Sequence, residues 1–147
     1  MPVEAISRDA ARAAAVLAKS VEVALHDAEL SPSQYRLLVY LSEAPAAATA
    51  LADKLAVTRP SLTALVDGLA TRGFVVRETD PCDRRRVTHQ ISEPGIQAVA
   101  RADAAIQERL AGWMVGELTD DEVVTVNQGL ELWGQALKAG RQRKVAS

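Results

Sequence analysis

The sequence predicts a mainly α-helical protein that carries one small β-hairpin. Apolar residues recur at steps of three and four through most of the chain, which places them on one face of each helix. Gln or Glu follows Ser or Thr at the spacing of a helix capping box. Between residues 74 and 91 the pattern changes to two β-rich runs around an Asp-Pro turn, which is typical of paired antiparallel strands.

The composition fits one globular domain and excludes several other classes. The chain has 147 residues, of which 48% are hydrophobic, and a net charge of −2, which is unlike a disordered chain. No apolar run reaches the roughly 18 residues of a membrane span. The N-terminal 20 residues lack the apolar core of a signal peptide. A lone cysteine excludes a disulfide framework and fits a reducing cytoplasm.

Catalytic and metal-binding patterns are missing from the sequence. Two His and one Cys, widely separated, cannot build an ordinary zinc site. There is no nucleophile–base pair, no paired-carboxylate motif and no glycine-rich phosphate loop. We therefore expect neither an enzyme nor a bound cofactor.

Charge is distributed unevenly along the chain. The segment from Lys54 to Gln90 holds seven basic and four acidic residues, whereas the rest holds ten basic and fifteen acidic residues. The overall pI of about 5.7 hides this basic middle segment. A local basic patch of this kind is the electrostatic footprint expected of a nucleic-acid-binding surface.

The first two helices are predicted from their apolar spacing and their caps. The first covers about Val3–Ala28, and its stripe is mostly alanine, which permits close helix packing but buries little area. The second follows Ser31, which forms a capping box with Gln34 around Pro32. Pro45 lies just past the end of this helix.

Two short helices come next. The first runs roughly over Ala48–Leu55, and Ala47 occupies the position where a polar cap is expected. The second is capped by Thr58, has Pro60 in its first turn and ends at Gly73, where a left-handed residue is favoured. Two short helices joined by a turn of three or four residues are the helix-turn-helix signature.

A β-hairpin is predicted directly after these helices. Its strands are Phe74–Thr79 and Arg86–Ile91, joined by turn residues at Asp80–Asp83. A hairpin in this place is a wing, and its tip is basic because Arg84–Arg86 lie at or beside the turn. The sequence thus predicts a winged helix-turn-helix over residues 31–92.

Two long helices complete the chain. One covers about Glu93–Gly116 after Ser92, and Asp103 interrupts its apolar stripe. The other begins after a capping box that joins Thr119 to Glu122. Its last residues, from position 141 onward, are expected to fray. The expected inner face of the first of these helices is Ile96, Val99, Ile106, Leu110 and Trp113, and that of the second is Val123, Val126, Leu130, Trp133 and Leu137.

Five motifs in register resemble the MarR family of bacterial transcription regulators. The resemblance covers the middle of the chain, whereas the flanking helices match only in length and place. Ala47 departs from the family pattern at the start of a helix, and Pro94 departs from it inside the last motif. The matching stretches are Leu30–Leu38, Leu51–Thr63, Leu69–Arg77, Asp80–Arg85 and Ile91–Gly95.

The second short helix is predicted to be the recognition helix. A helix that enters the major groove carries short polar and basic side chains on the exposed face of its first turns. Arg59 would either read guanine or hold a phosphate, and Ser61 and Thr63 would contact phosphates or base edges. The alternative is that Thr58 only caps the helix and Ser61 is merely solvated. The candidate residues are Thr58, Arg59, Ser61 and Thr63.

The wing is the second predicted DNA contact. The family pattern implies that Arg85 enters the minor groove, where an arginine is favoured when the groove narrows. Arg84 and Arg86 would hold phosphates or pair with acids. Asp83 is interpreted as an anchor for an arginine, because a carboxylate would repel phosphate.

Three other hairpin residues have more ordinary interpretations. Arg77 is expected to pair with Asp80 or Asp83, or to reach the DNA backbone. Cys82 is expected to be an inert loop cysteine, although basic neighbours can lower a thiol pKa. His89 is isolated within a strand and is interpreted as structural rather than as a metal ligand.

The resemblance implies a homodimer on double-stranded DNA. Residues 1–30 and 93–147 would form a helical dimerisation lobe, and the dimer would bind a pseudo-palindromic operator in the bacterial cytoplasm. It would repress its own or a neighbouring gene. A small-molecule effector, phenolic or other, is implied between the lobes, and Asp103 is predicted to line its cavity. The alternative is a winged-helix module that binds protein without DNA, against which the basic wing argues.

Overall fold

The computed structural model describes residues 6–146. Within them the chain divides into two compact units, with the boundary between Leu110 and Ala111. Every predicted helix is present together with a small antiparallel sheet, so the mainly α class is confirmed. The elements are α1 (Arg8–Asp27), α2 (Pro32–Glu43), β1 (Ala46–Ala47), α3 (Ala48–Leu55), α4 (Arg59–Thr71), β2 (Val75–Thr79), β3 (Val87–Ile91), α5 (Glu93–Met114) and α6 (Asp120–Ala146).

Side-chain caps determine where the first two helices begin. The Ser7 hydroxyl accepts the Ala10 N–H at 3.1 Å, so α1 starts later than its predicted start at Val3, which lies outside the described residues. The predicted capping box of α2 is complete. Ser31 Oγ accepts the Gln34 N–H at 3.1 Å, and Gln34 Oε1 accepts the Ser31 N–H at 3.0 Å. Both caps satisfy amides that a helix start otherwise leaves without partners.

Helix α3 has the predicted bounds but an unusual start and end. Ala47 precedes it and offers no side-chain cap, as expected from its apolar side chain. Ala56 ends the helix in the left-handed region at φ 55°. The sequence does not predict this conformation, because it is unfavourable for an alanine. The Ala56 N–H donates to carbonyl oxygens in the last turn of α3, and these hydrogen bonds help to offset the unfavourable dihedral.

The sheet has one strand more than the sequence predicts. Strand β3 is central, with β2 antiparallel on one side and the two-residue β1 antiparallel on the other. Ala46 pairs with His89, which in turn pairs with Arg77 across the hairpin. The hairpin strands begin one residue later than predicted, because Phe74 and Arg86 lie outside the ladder.

Leucines from three helices form the core of the first unit. Helices α2, α3 and α4 each contribute side chains that are nearly inaccessible to water. Burial of such side chains supplies most of the free energy that favours folding. The core leucines include Leu37, Leu38, Leu41, Leu51, Leu55, Leu62 and Leu69.

Helix α5 uses small residues to pack against this core. Its buried residues are Gly95, Ala98 and Ala102. The prediction that Ile96 faces inward is wrong, since it is 46% exposed, and Trp113 is 61% exposed in a single copy. Small residues allow the α5 backbone to approach the other elements closely, a fit that apolar spacing alone does not reveal.

Gly95 marks the closest of these approaches. A Cβ atom at this position would lie 2.4 Å from the Phe74 carbonyl oxygen. The same carbonyl accepts the Ser92 N–H at 3.0 Å, and the Ser92 hydroxyl bonds to Gly73, whose φ is 78°. The end of α4, the last strand and the start of α5 are therefore joined by backbone contacts.

Helix α6 differs from the other helices in how little of its surface is buried. No residue between 120 and 144 is buried. The prediction of a frayed tail is wrong, because α6 continues to Ala146. Strong helix formers fill the tail, and Arg143 and Lys144 lie in the last turn, where cations are favoured. Among the described helices, none is both long and apolar enough to cross a membrane.

Candidate nucleic-acid interface

The start of α4 presents an exposed polar surface. Thr58 precedes the helix, and its Oγ1 accepts the Ser61 N–H at 3.2 Å, so the predicted cap is present. The two hydroxyls also bond to each other at 3.0 Å. Thr63 donates its hydroxyl hydrogen to the Arg59 carbonyl at 3.0 Å. Each of these hydroxyl oxygens keeps hydrogen-bonding capacity on an exposed helix start.

Arg59 does not project over the outer face of α4. As the first residue of the helix, it carries a Cβ that tilts back toward the helix start. Its Nη1 donates to Thr49 Oγ1 in the first turn of α3 at 2.9 Å. Thr49 was not predicted from the sequence, because the contact joins two helices and no local motif indicates it.

The tip of the wing is built around two aspartates. Asp83 Oδ1 accepts the Arg85 N–H at 3.0 Å, and its Oδ2 lies 4.0 Å from Arg86 Nε. Asp80 Oδ1 accepts the Cys82 N–H at 2.9 Å. These short-range bonds shape the turn and leave the consecutive arginine side chains exposed. Those arginines are Arg84, Arg85 and Arg86.

The wing is connected to α4 by an ion pair. Arg77 on β2 binds the Asp67 carboxylate on α4, and the side chains are 41% and 59% exposed. Asp67 is thus the acid that pairs with Arg77, so the expected pairing with Asp80 or Asp83 is wrong, whereas a contact of Arg77 with the DNA backbone stays a prediction. The contact depends on how the hairpin folds over α4, which residue spacing along the chain does not specify.

His89 connects the central strand β3 to the short strand β1. It is 5% exposed, and its Nδ1 lies 3.2 Å from the Ala46 carbonyl oxygen. Burial lowers the pKa of His89 below its ordinary value, the bond to Ala46 opposes this shift, and the positive charge of Arg77 adds to it. A neutral His89 therefore links β1 to the centre of the sheet.

A groove runs between the start of α3 and the wing. Thr49 and Arg59 lie on one side, and Arg85, Arg86 and Asp80 lie on the other. Three arginines and one aspartate thus line the same open space, and this excess of positive charge makes it attractive to an anion. The structure brings together predicted residues from the recognition helix and from the wing in this groove.

Away from this surface, a polar pair joins α2 to α5. The Tyr35 hydroxyl donates to Asp103 Oδ1 at 2.5 Å in a partly buried setting. Burial raises the pKa of Tyr35 above its ordinary value, and the adjacent carboxylate raises it further. Asp103 is partly buried, and its partner Tyr35 was not anticipated from the sequence.

Comparisons with known proteins agree with this geometry. The model of the MarR family matches residues 28–86. A protein of Thauera aromatica, provisionally named a transcriptional regulatory protein for the hcr operon, is 35% identical over 81 residues. That match covers 54% of this chain and 49% of the relative, so it spans about half the length of the Thauera protein.

A second relative and a solved structure extend the similarity over most of the chain. An uncharacterised HTH-type transcriptional regulator of Mycobacterium leprae is 33% identical over 114 residues, which cover 77% of each chain. The solved structure is the transcriptional repressor CouR bound to a 23-mer DNA duplex. It is 26% identical with a TM-score of 0.67, over 84% of this chain and 87% of that one. The chain belongs to the MarR family of transcriptional regulators.

Proposed function

We propose that this chain is a homodimeric, sequence-specific DNA-binding regulator that represses its own or a neighbouring gene. One observation carries the proposal: the exposed polar start of α4 and the arginine-rich wing form one surface. Arg59 at that helix start lines the same groove as Arg85 and Arg86, and the ion pair between Arg77 and Asp67 joins the wing to α4. The DNA duplex bound to the similar CouR chain supports the same conclusion.

The two parts of the surface suit different grooves of DNA. Helix α4 would enter the major groove, where Ser61 and Thr63 contact base edges or phosphates. Arg85 would enter the adjacent minor groove, and Arg84 and Arg86 would hold the flanking phosphates. Such a regulator acts on bacterial DNA, so we place it in the cytoplasm.

A second copy of the chain would cover the apolar face of α6. Leu130, Trp133 and Leu137 are 47%, 53% and 57% exposed, although they lie on one helical stripe. A large exposed apolar surface of this kind marks a protein interface. We assign residues 1–30 and 93–147 to the dimerisation lobe. The two recognition helices would then read half-sites about 34 Å apart on a pseudo-palindromic operator.

We also propose that a small molecule, phenolic or other, releases the repressor from DNA. The support is the partly buried bond between Tyr35 and Asp103, which shows that the Asp103 carboxylate can accept a phenolic hydroxyl. A phenolic effector would compete for that carboxylate. It would act by favouring a conformation that does not fit the operator.

The test begins with selection of duplexes from a randomised library by the full-length chain. We expect an enriched pseudo-palindrome. Fluorescence anisotropy should then show that Arg85→Ala weakens binding to the enriched duplex by about 1–3 kcal/mol. Arg101→Ala is the matched control, because it removes an exposed arginine from α5 and should leave the affinity unchanged.

Two results would contradict the proposal. If no sequence is enriched and the chain binds DNA weakly, the alternative function of a protein-interaction module is favoured. If Arg85→Ala and Arg101→Ala have equal effects, the wing is not a DNA contact. The basic wing is the feature that disfavours the alternative, because an apolar surface would suit a protein partner better.

A further inference from the structure

The position of Arg59 separates it from the other candidate recognition residues. Ser61 and Thr63 lie on the first turns of α4, whereas the Arg59 guanidinium is held beside α3 by its bond to Thr49. A guanidinium has five N–H donors, and this bond engages only one of its nitrogens. The remaining donors stay available to a ligand that reaches this place.

The electrostatic environment of Arg59 indicates what that ligand would be. Within residues 6–146, no carboxylate forms an ion pair with Arg59. Arg85 and Arg86 line the same groove, and the one acid there, Asp80, already accepts the Cys82 N–H. Arg86 lies at the limit of ion pairing with Asp83, and its side chain is 80% exposed.

A groove with several arginines fits a phosphate better than a base. Forked guanidinium donors match the oxygens of a phosphate, and a second cation increases the attraction. A base edge, in contrast, is read by side chains that project from the helix lying in the major groove. Arg59 is directed by its bond to Thr49 toward the wing and away from that position.

We propose that Thr49 is a positioning residue that holds Arg59 in this groove, where Arg59 binds a DNA backbone phosphate together with Arg86. This inference rests on the proposed DNA-binding function. It makes Arg59 a source of affinity for any duplex and leaves base discrimination to other residues. Thr49 acts only through Arg59, so its contribution disappears when Arg59 is removed.

The experiment compares two duplexes with the full-length chain. One is the duplex enriched from the randomised library, and the other is a scrambled duplex of the same length and composition. Anisotropy is measured over a salt series for the wild type, Thr49→Val, Thr49→Ser, Arg59→Ala and the double variant Thr49→Val/Arg59→Ala. Thr71→Val is the matched control, because its hydroxyl bonds within α4 to the Asp67 carbonyl and does not line the groove.

The expected results follow from the loss of one phosphate contact in each copy of the dimer. Arg59→Ala should weaken binding about tenfold on both duplexes and make the salt dependence shallower by about 1.8 in the log–log slope, which is about 0.9 for each copy. Thr49→Val should weaken both about threefold, as expected for one lost hydrogen bond. Thr49→Ser and Thr71→Val should retain the wild-type affinity. Adding Thr49→Val to Arg59→Ala should cause no further loss.

Other outcomes would overturn the inference. If Arg59→Ala weakens only the enriched duplex, Arg59 reads a base. If Thr49→Val has no effect, or lowers affinity further in the Arg59→Ala background, Thr49 does not act by positioning Arg59. If the wild type binds neither duplex, the proposed function is overturned together with this inference. If the wild type binds both duplexes and Thr49→Val binds them equally well, only this inference is overturned.

Discussion

Helices α4 and α6 have the same apolar spacing but differ in what covers it. On α4, Leu62 and Leu69 are 1% and 0% exposed, because α2 and α3 pack over them. On α6, Leu130 and Trp133 are 47% and 53% exposed. The spacing of apolar residues therefore identifies a face that must be buried, but it does not identify the surface that buries it.

The difference separates two ways of completing a core. The winged part of the chain supplies its own leucines and closes its core within one copy. Helix α6 leaves its stripe open over four turns, which is the arrangement expected when a second copy provides the other half. If this explanation is right, substitutions on α4 act on folding and substitutions on α6 act on association.

The largest effect is expected on the α6 stripe. Trp133→Glu places a charge in an apolar interface, which costs several kcal/mol and should raise the dimer dissociation constant at least about 100-fold. Sedimentation velocity over a concentration series measures this constant. Leu132→Glu is the matched control, since Leu132 is 63% exposed and lies off the stripe. If Trp133→Glu stays dimeric at the concentrations at which the wild type is dimeric, the α6 stripe is not the dimer interface.

A substitution on α4 should act on folding instead. Leu69→Ala leaves a cavity in a closed core and should lower the free energy of unfolding by about 2–5 kcal/mol in urea titrations. Leu137→Ala, measured in the monomeric Trp133→Glu background, should change it by less than about 0.5 kcal/mol, because no partner covers Leu137 there. Equal losses for these two variants would show that α6 is covered within one chain.

The two ends of α5 provide a smaller test of the same kind. Gly95→Ala brings a methyl group against the Phe74 carbonyl and should destabilise the fold by about 1–3 kcal/mol. Gly112→Ala meets no atom within 4 Å and should stabilise it by up to about 1 kcal/mol, because alanine is the better helix former. Thermal denaturation of the two variants checks the signs, and a tolerated Gly95→Ala would argue against the close junction.

The smallest expected effect is the pH dependence from His89. Its pKa is lowered in the folded state, so between that pKa and the ordinary value of 6.5 the unfolded chain binds more protons. The free energy of unfolding should therefore fall as the pH drops below about 6.5 and stay unaffected by this group at higher pH. Urea titrations from pH 7.5 to 5 measure this change.

Two variants assign that pH dependence to one histidine. His89→Gln should flatten the fall in stability, because the buried ionisable group is gone. The exposed His26 is the matched control, and His26→Gln should leave the fall unchanged. A fall that persists in His89→Gln would place the responsible group elsewhere.

Helix starts and the turn at the end of α4 were predictable because they depend on local bonds. The caps at Ser31 and Thr58 join residues three positions apart, and Gly73 takes a left-handed conformation that glycine adopts without strain. The short strand at Ala46 carries no such signal, since a two-residue strand exists only through its pairing with β3. Arg77 likewise reached a partner on another element rather than a neighbour in the turn.

By itself, the sequence determined the order of the elements, their apolar faces and the basic wing beside a polar helix start. Each of these follows from spacing and from interactions over a few residues. Tertiary structure decided that Asp67 binds Arg77, that Thr49 holds Arg59 and that small residues rather than Ile96 face the core. Those choices depend on how closely distant elements approach, because the distance between backbones selects which side chains can meet.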